Sequence, residues 1–165
     1  MDPILAVVSA LREAGVSFVV VGGVAVVLQG HPRMTVDLDI VVELEHDNLL
    51  RALEVLQGLG LVPRLPVAAA QFADEDTRRR WVQERSLTVF SMHDPVDPRR
   101  EVDLFAESPL PWEELVADAE EIDVGGVVVP VASRAHLIRM KLQAGRPQDL
   151  ADVEALAHLE DLDGG

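Results

Sequence analysis

Cysteine is absent from all 165 residues, which excludes disulfides, thiolate nucleophiles and Cys-ligated zinc or iron–sulfur clusters. Long apolar runs are missing too. No stretch approaches the roughly 20 residues of a membrane span, and the N-terminus lacks a basic-then-apolar signal pattern. A cytoplasmic protein with no membrane partner is expected. Positive charge is scarce: 14 Lys and Arg stand against 29 Asp and Glu, for a net charge of −15. Only Lys141 is a lysine. So acidic a chain has no global attraction for a phosphate backbone, and a nucleic-acid partner would need a local basic patch. The five histidines show no metal-ligand spacing, no nucleophile elbow appears, and there is neither an internal repeat nor a low-complexity tract.

The remainder describes a folded domain. Hydrophobic residues are 48% and charged residues 26% of the chain, a globular balance. A chain of this length buries roughly two-thirds of its unfolded surface without staples. Asp2 and Pro3 read as the cap and first residue of a helix ending at Gly15. Ser17–Val21 is a β-branched run, read as a buried strand, and Gly22-Gly23 leads from it into a short helix ending at Gly30. Val36–Glu43 begins with alternating apolar and acidic residues and reads as a strand. A helix over 47–59 follows, and then an ambiguous stretch, 61–85, that carries Arg78-Arg79-Arg80 beside Trp81. The basic run is either an RNA contact, with Trp81 as a stacking surface, or a solvated face. Residues 86–92 and 101–105 read as paired strands, 111–117 as a helical turn, and 122–131 as a hairpin around Gly125-Gly126. Ser133 caps a helix over 134–144, Gly145 ends it, and Pro147 opens a last helix to about residue 159. The order predicts an α+β fold, with a mixed sheet core over 1–132 and a C-terminal helical pair over 133–165.

Chemistry concentrates at a few positions. Residues two apart on a strand face the same side, so Asp37 and Asp39 project together while Leu38 and Ile40 face away. Two neighbouring carboxylates repel and resist ionising when buried, and a divalent cation removes that penalty. Mg²⁺ suits the pair because it prefers hard oxygens and needs few protein ligands. A solvated strand face would carry the same pattern. Gly22 and Gly23, bare of Cβ after a buried strand, let backbone amides approach phosphate oxygens, although a tight strand-to-helix turn needs glycine as well. Arg33 and Thr35 lie between glycines and carboxylates, within reach of a phosphate through a guanidinium fork and a hydroxyl. Asp103, set between Val102 and Leu104 in an apolar strand, is the candidate third carboxylate for a two-metal clamp, with Glu101 in reserve. Lys141 shares the apolar face of its helix with Leu137 and Ile138. A buried ammonium needs an anionic partner, which phosphate, Asp149 or Asp152 would supply unless the long stem snorkels to water. Asp149 and Asp152 equally suit the first turns of the last helix.

Gly22-Gly23, then Asp37-Leu38-Asp39, with a later Asp103 on a strand, resembles the DNA polymerase β-type nucleotidyltransferase superfamily. Residues 22–42 look like the branch of small nucleotidyltransferases that contains AbiEii-type toxins. Lys141, Arg146, Asp149 and Asp152 are similar to that branch's C-terminal motif. The resemblance implies a two-layer fold and transfer of a nucleoside monophosphate from an NTP to an acceptor hydroxyl on RNA, protein or a small molecule. It also implies two Mg²⁺ ions, with Asp37, Asp39 and Asp103 as metal ligands and Asp103 as metal ligand or base. Gly22 and Gly23 would hold the triphosphate. Arg33, Thr35, Lys141, Asp149 and Asp152 join the nucleotide-binding set, and Lys141 the catalytic one. An antitoxin protein becomes a possible partner. Many superfamily members carry Gly-Ser where this chain has Gly-Gly, so one phosphate-binding hydroxyl is missing here. The Arg-x-Thr-x-Asp-x-Asp segment also resembles small antibiotic nucleotidyltransferases, and the net charge suits a cationic small molecule. A degenerate, non-catalytic binding or regulatory member is the third reading.

Overall fold

The computed structural model describes residues 1–164. Helix α1 (Pro3–Glu13) opens as expected, with the Asp2 carboxylate accepting from the amides of Ile4 and Leu5. Strand β1 (Phe18–Val21) is buried at all four positions. Helix α2 (Gly22–Leu28) begins at Gly22, two residues before the expected start. Strand β2 (Leu38–Val42) excludes Asp37, which sits in a bend one residue upstream. Helix α3 (His46–Gly58) is capped by Glu45.

The ambiguous stretch divides into β3 (Val62–Pro63), a 3₁₀ turn (Ala69–Ala73) and helix α4 (Glu75–Arg85). Its arginine run is not a free basic patch. Arg78 is buried, donates to the Phe72 carbonyl at 2.9 Å and lies over the Phe72 ring. Arg79 pairs with Glu75 at 2.7 Å. Trp81 is buried and stacks near Phe90, their ring centroids 6.0 Å apart. Of the two readings of this run, an RNA contact with Trp81 as stacking surface is not what the structure shows, because the indole is packed in the core, where it gains more from burial than from water.

Strands β4 (Val89–His93) and β5 (Glu101–Phe105) pair antiparallel. Helix α5 (Trp112–Ala117) precedes the hairpin of β6 (Glu120–Val124) and β7 (Val127–Val131), which turns on Gly125 and Gly126, both at positive φ. Helix α6 (Arg134–Ala144) is capped by Ser133 and closed by Gly145 at φ +66°. Helix α7 (Pro147–Gly164) runs five residues beyond its expected end.

The seven strands form one mixed sheet in the order β3-β4-β5-β2-β1-β7-β6. β1–β7 and β2–β5 are parallel and the other pairs antiparallel, so the fold is α+β with an open sheet. Alternation along β4 and β5 places Phe90, Met92, Val102 and Leu104 in the core, with Ile40 of β2. Each such side chain contributes about 1.5–3 kcal/mol by leaving water, which fixes the register of the strands and thereby of the polar residues between them. Among the described residues no helix is long and apolar enough to cross a membrane.

Candidate active site

One row of the sheet gathers the acidic residues. Asp39 on β2 is in register with Val21 on β1 and with Asp103 on β5. Asp103 is in register with Ser91 on β4. Residues in register on adjacent strands share a face with neighbouring Cβ atoms, so Asp39 and Asp103 stand side by side on the half-buried face, opposite the core residues Ile40 and Leu104. Ser91 donates its hydroxyl to Asp103 Oδ1 at 2.6 Å and so orients that carboxyl. The spacing argument did not find Ser91. Its place at a polar position of an alternating strand was visible, but its partner depends on the β4–β5 register.

Like charge dominates this row. Burial, then repulsion from Asp103 and Asp37, and a hydrogen bond shared with Asp103 push the Asp39 carboxyl up to about 7, against the pull of Lys141. Asp37 is raised by burial and then by Glu101 and Asp103. Glu101 is held low, chiefly because Arg64 donates to it. Arg64, on the segment after β3, was also missed, since nothing local points it at Glu101.

The glycine corner follows directly from this packing. A Cβ on Gly22 would lie 2.0 Å from Asp39 Oδ2, and its φ of +67° favours glycine independently. A Cβ on Gly23 would lie 2.5 Å from Thr35 Oγ1 and 3.0 Å from Arg33 Nη2. The two glycines are thus the surface on which Asp39, Thr35 and Arg33 rest. The structure thus brings Gly22 to Asp39, Asp39 to Asp103, and Gly23 to Thr35 and Arg33, while Asp37 stands outside the strand.

The C-terminal helices add a second charged group. Lys141 Nζ lies 2.9 Å from Asp152 Oδ2 and 3.6 Å from Asp149 Oδ1, with only 9% of its side chain exposed. Arg33 Nη2 donates to Asp152 Oδ2 at 3.2 Å, and its Nε lies 3.1 Å from Oδ1 without the alignment to donate. Gln148 donates to the same Oδ1 at 3.2 Å. Arg146 donates to Asp149 Oδ2 from Nε at 2.7 Å and holds that carboxyl well below its ordinary range. In this arrangement Arg33 and Lys141 face protein carboxylates, and Asp152 has no exposed surface.

A cleft of about 300 Å³ opens between the two groups. Gly22 and Asp39 line one end, Lys141, Arg146 and Asp149 another, and Phe105, Pro109, Leu137, Met140 and Ala144 supply apolar walls. Apolar walls with a few convergent polar groups are what a small-molecule site requires. The paired oxygens of Asp39 and Asp103 have the chemistry for a hard divalent cation, whose charge would relieve their repulsion. Among the described residues no three His, Cys, Asp or Glu side chains stand grouped to hold a metal ion. The donor set present is therefore the Asp39–Asp103 pair, with Asp37 turned toward Glu101.

A glycine corner beside paired sheet carboxylates, at a cleft lined by Lys141 and Arg146, has the groups that handling a nucleotide phosphate and its cation requires. The comparisons agree. Residues 4–164 match the family described as nucleotidyl transferase AbiEii toxin, type IV TA system, and the chain belongs to that family. No curated protein matches it. Solved structures share the fold. A candidate nucleotidyltransferase from Thermotoga maritima is 14% identical, with 94% of this chain and 90% of that one covered at a TM-score of 0.58. The antibiotic-resistance factor ANT(2'')-Ia is also 14% identical, covering 100% and 86% at 0.59. An antigenic nucleotidyltransferase-like protein from Paracoccidioides brasiliensis is 18% identical, covering 98% and 77% at 0.57.

Proposed function

We propose that the chain transfers a nucleoside monophosphate from an NTP to an acceptor hydroxyl, as the toxin component of a toxin–antitoxin pair acting in the cytoplasm on RNA or protein. The observation that carries this reading is the register row: Asp39 and Asp103 side by side, against Gly22, at the end of a cleft lined by Lys141 and Arg146. The triphosphate lies at the Gly22-Gly23 corner, with Arg33, Thr35 and Lys141 as its donors, and base and sugar occupy the apolar part of the cleft. Asp39 and Asp103 would hold a divalent cation such as Mg²⁺ between them. When bound, the metal neutralises charge on the phosphates and carboxylates.

In the transfer the acceptor oxygen forms a bond to the α-phosphorus. The bond from that phosphorus to the α–β bridging oxygen breaks, and pyrophosphate leaves with the electron pair. Asp103, oriented by Ser91, takes the acceptor proton. Positioning and electrostatic stabilisation provide most of the rate. Lys141 and Arg146 add positive charge beside the departing phosphates.

A second reading keeps the chemistry and changes the acceptor to a cationic small molecule. The net charge of −15 and the fold shared with ANT(2'')-Ia, an antibiotic-resistance factor, favour it. Incubation with α-labelled NTPs, Mg²⁺ and either total RNA, total protein or a panel of cationic antibiotics separates the two. Label on RNA or protein supports the first and label on an antibiotic the second. No label, with no nucleotide binding by calorimetry, leaves a degenerate binding member.

A further inference from the structure

Five charged side chains form one strictly alternating chain through the C-terminal helices: Arg33, Asp152, Lys141, Asp149, Arg146. Each contact is short. Arg33 reaches Asp152 at 3.2 Å, Asp152 reaches Lys141 at 2.9 Å, Lys141 reaches Asp149 at 3.6 Å, and Asp149 reaches Arg146 at 2.7 Å. The two ends lie on different parts of the site. Arg33 rests over Gly23, and Arg146 lines the cleft.

Asp152 joins Arg33 to Lys141 in this chain and is the one carboxylate in it with no exposed side-chain surface. Oδ2 receives Arg33 Nη2 and Lys141 Nζ, while Oδ1 receives Gln148 and faces Arg33 Nε. Asp152 is fully buried, and Asp149 rather than Asp152 lines the cavity. Burying an unpaired ammonium and a guanidinium would be costly, and a single carboxylate between them offsets that cost for both. It also fixes where both cations point. Arg33 lies on the segment just before Asp37, whereas Lys141 is on α6, more than a hundred residues later in the chain. Asp152 on α7 is the group that ties these two segments together.

We propose that Asp152 is a positioning residue for nucleotide binding: it touches no substrate, and it sets Arg33, over Gly23, and Lys141, on the wall of the cleft, as one coupled pair. This rests on the reading that the cleft binds an NTP. Its distinguishing consequence is non-additivity. Groups that share a partner do not contribute independently, whereas separate phosphate contacts do.

The test is a set of binding titrations of Mg²⁺-ATP, and of inorganic tripolyphosphate without metal, on the full chain, with circular dichroism to confirm folding. Asp152→Asn is expected to weaken both ligands about tenfold. Removal of Arg33 (Arg33→Gln) is expected to cost at least three times less in the Asp152→Asn background than in the wild type. The metal-free arm matters because a carboxylate acting through a metal would leave tripolyphosphate binding unchanged, and that result would overturn the proposal. So would an Asp152→Asn chain that binds both ligands as the wild type does. Should Asp152→Asn fail to fold, the cycle of Arg33→Gln with Lys141→Gln reads the same coupling. Losses that depart from the product of the singles by threefold or more support the shared carboxylate, and multiplicative losses refute it. A wild-type chain that binds neither ligand would sink the NTP reading itself, a result separate from any of these.

Discussion

Two charged clusters face each other across one cleft, and they are built on opposite rules. The row on β2 and β5 sets Asp37, Asp39, Asp103 and Glu101 together, with Arg64 engaging only Glu101. The chain on α6 and α7 alternates sign at every step. The first is a repulsion that Lys141 only partly offsets, held in place by the sheet, and burial together with that repulsion pushes the Asp39 carboxyl up to about 7. The second is satisfied within the protein. A site for an anionic nucleotide with a counter-cation needs both: acids that gain from an incoming positive charge, and cations already fixed against an incoming negative one. The sheet supplies the first because register cannot relax without exposing Ile40 and Leu104. The helices supply the second because buried cations are tolerated only with partners.

The comparison is most sharply broken by Asp39→Asn. Transfer should fall by about a thousandfold or more while the fold remains, and unchanged turnover in labelled-NTP assays would remove Asp39 from the reaction. Gly22→Ala comes next. The new Cβ would displace the Asp39 carboxyl that lies 2.0 Å from its position, at a φ of +67°. A misplacement of this size costs about a hundredfold in rate, and single-turnover kinetics should show it alongside a lowered melting temperature.

Two smaller effects contrast the clusters by the sign of their pH dependence, measured in chelator. Asp39 in the native state keeps a proton up to about 7 that the unfolded chain releases near 4. The stability contributed at this site therefore falls as pH rises from about 4 to about 7, and is flat above. The melting temperature of Asp39→Asn should gain on the wild type by roughly 10 °C across that window, at about 1.4 kcal/mol per pH unit and about 2–4 °C per kcal/mol, and a constant difference would contradict the raised Asp39 carboxyl. Asp149 runs the other way. Arg146 depresses its carboxyl, so its stabilisation is complete above about pH 4 and disappears as pH falls through the lower native value. Asp149→Asn should lower the melting temperature by about 2 °C at pH 7 and much less near pH 3; equal losses at both would show that the ion pair is not the cause.

Much of the acidic cluster was legible in the sequence, because alternation along a strand assigns a face without knowledge of the partner. Asp39 and Asp103 could each be given a polar strand face, and the glycine corner followed from its position after a buried strand, whereas Asp37, read on the same strand as Asp39, lies in a bend before it. The Asp39–Asp103 register itself could not be read, nor could Ser91 or Arg64, since each depends on which strand lies next to which. Lys141 was recognisable as an inward cation wanting an anion. That its partner Asp152 also holds Arg33 was not, because nothing in a linear sequence says that two distant segments meet at one carboxylate. Trp81 illustrates the opposite failure. An aromatic beside three arginines has the composition of an RNA surface, yet its helix turns that ring onto Phe90.

The crowding at Gly23 carries a consequence for how such sequences diverge. The hydroxyl of Thr35 fills the volume that a side chain at position 23 would need, so the two positions compete for one space. A chain that keeps this backbone can place a hydroxymethyl on the corner only if the loop opposite gives way, so Gly23→Ser should be less damaging with Thr35→Ala, which removes the 2.5 Å contact, than without it, while the contacts of Arg33 Nη2 and the Cβ at position 35 remain at 3.0 and 3.1 Å.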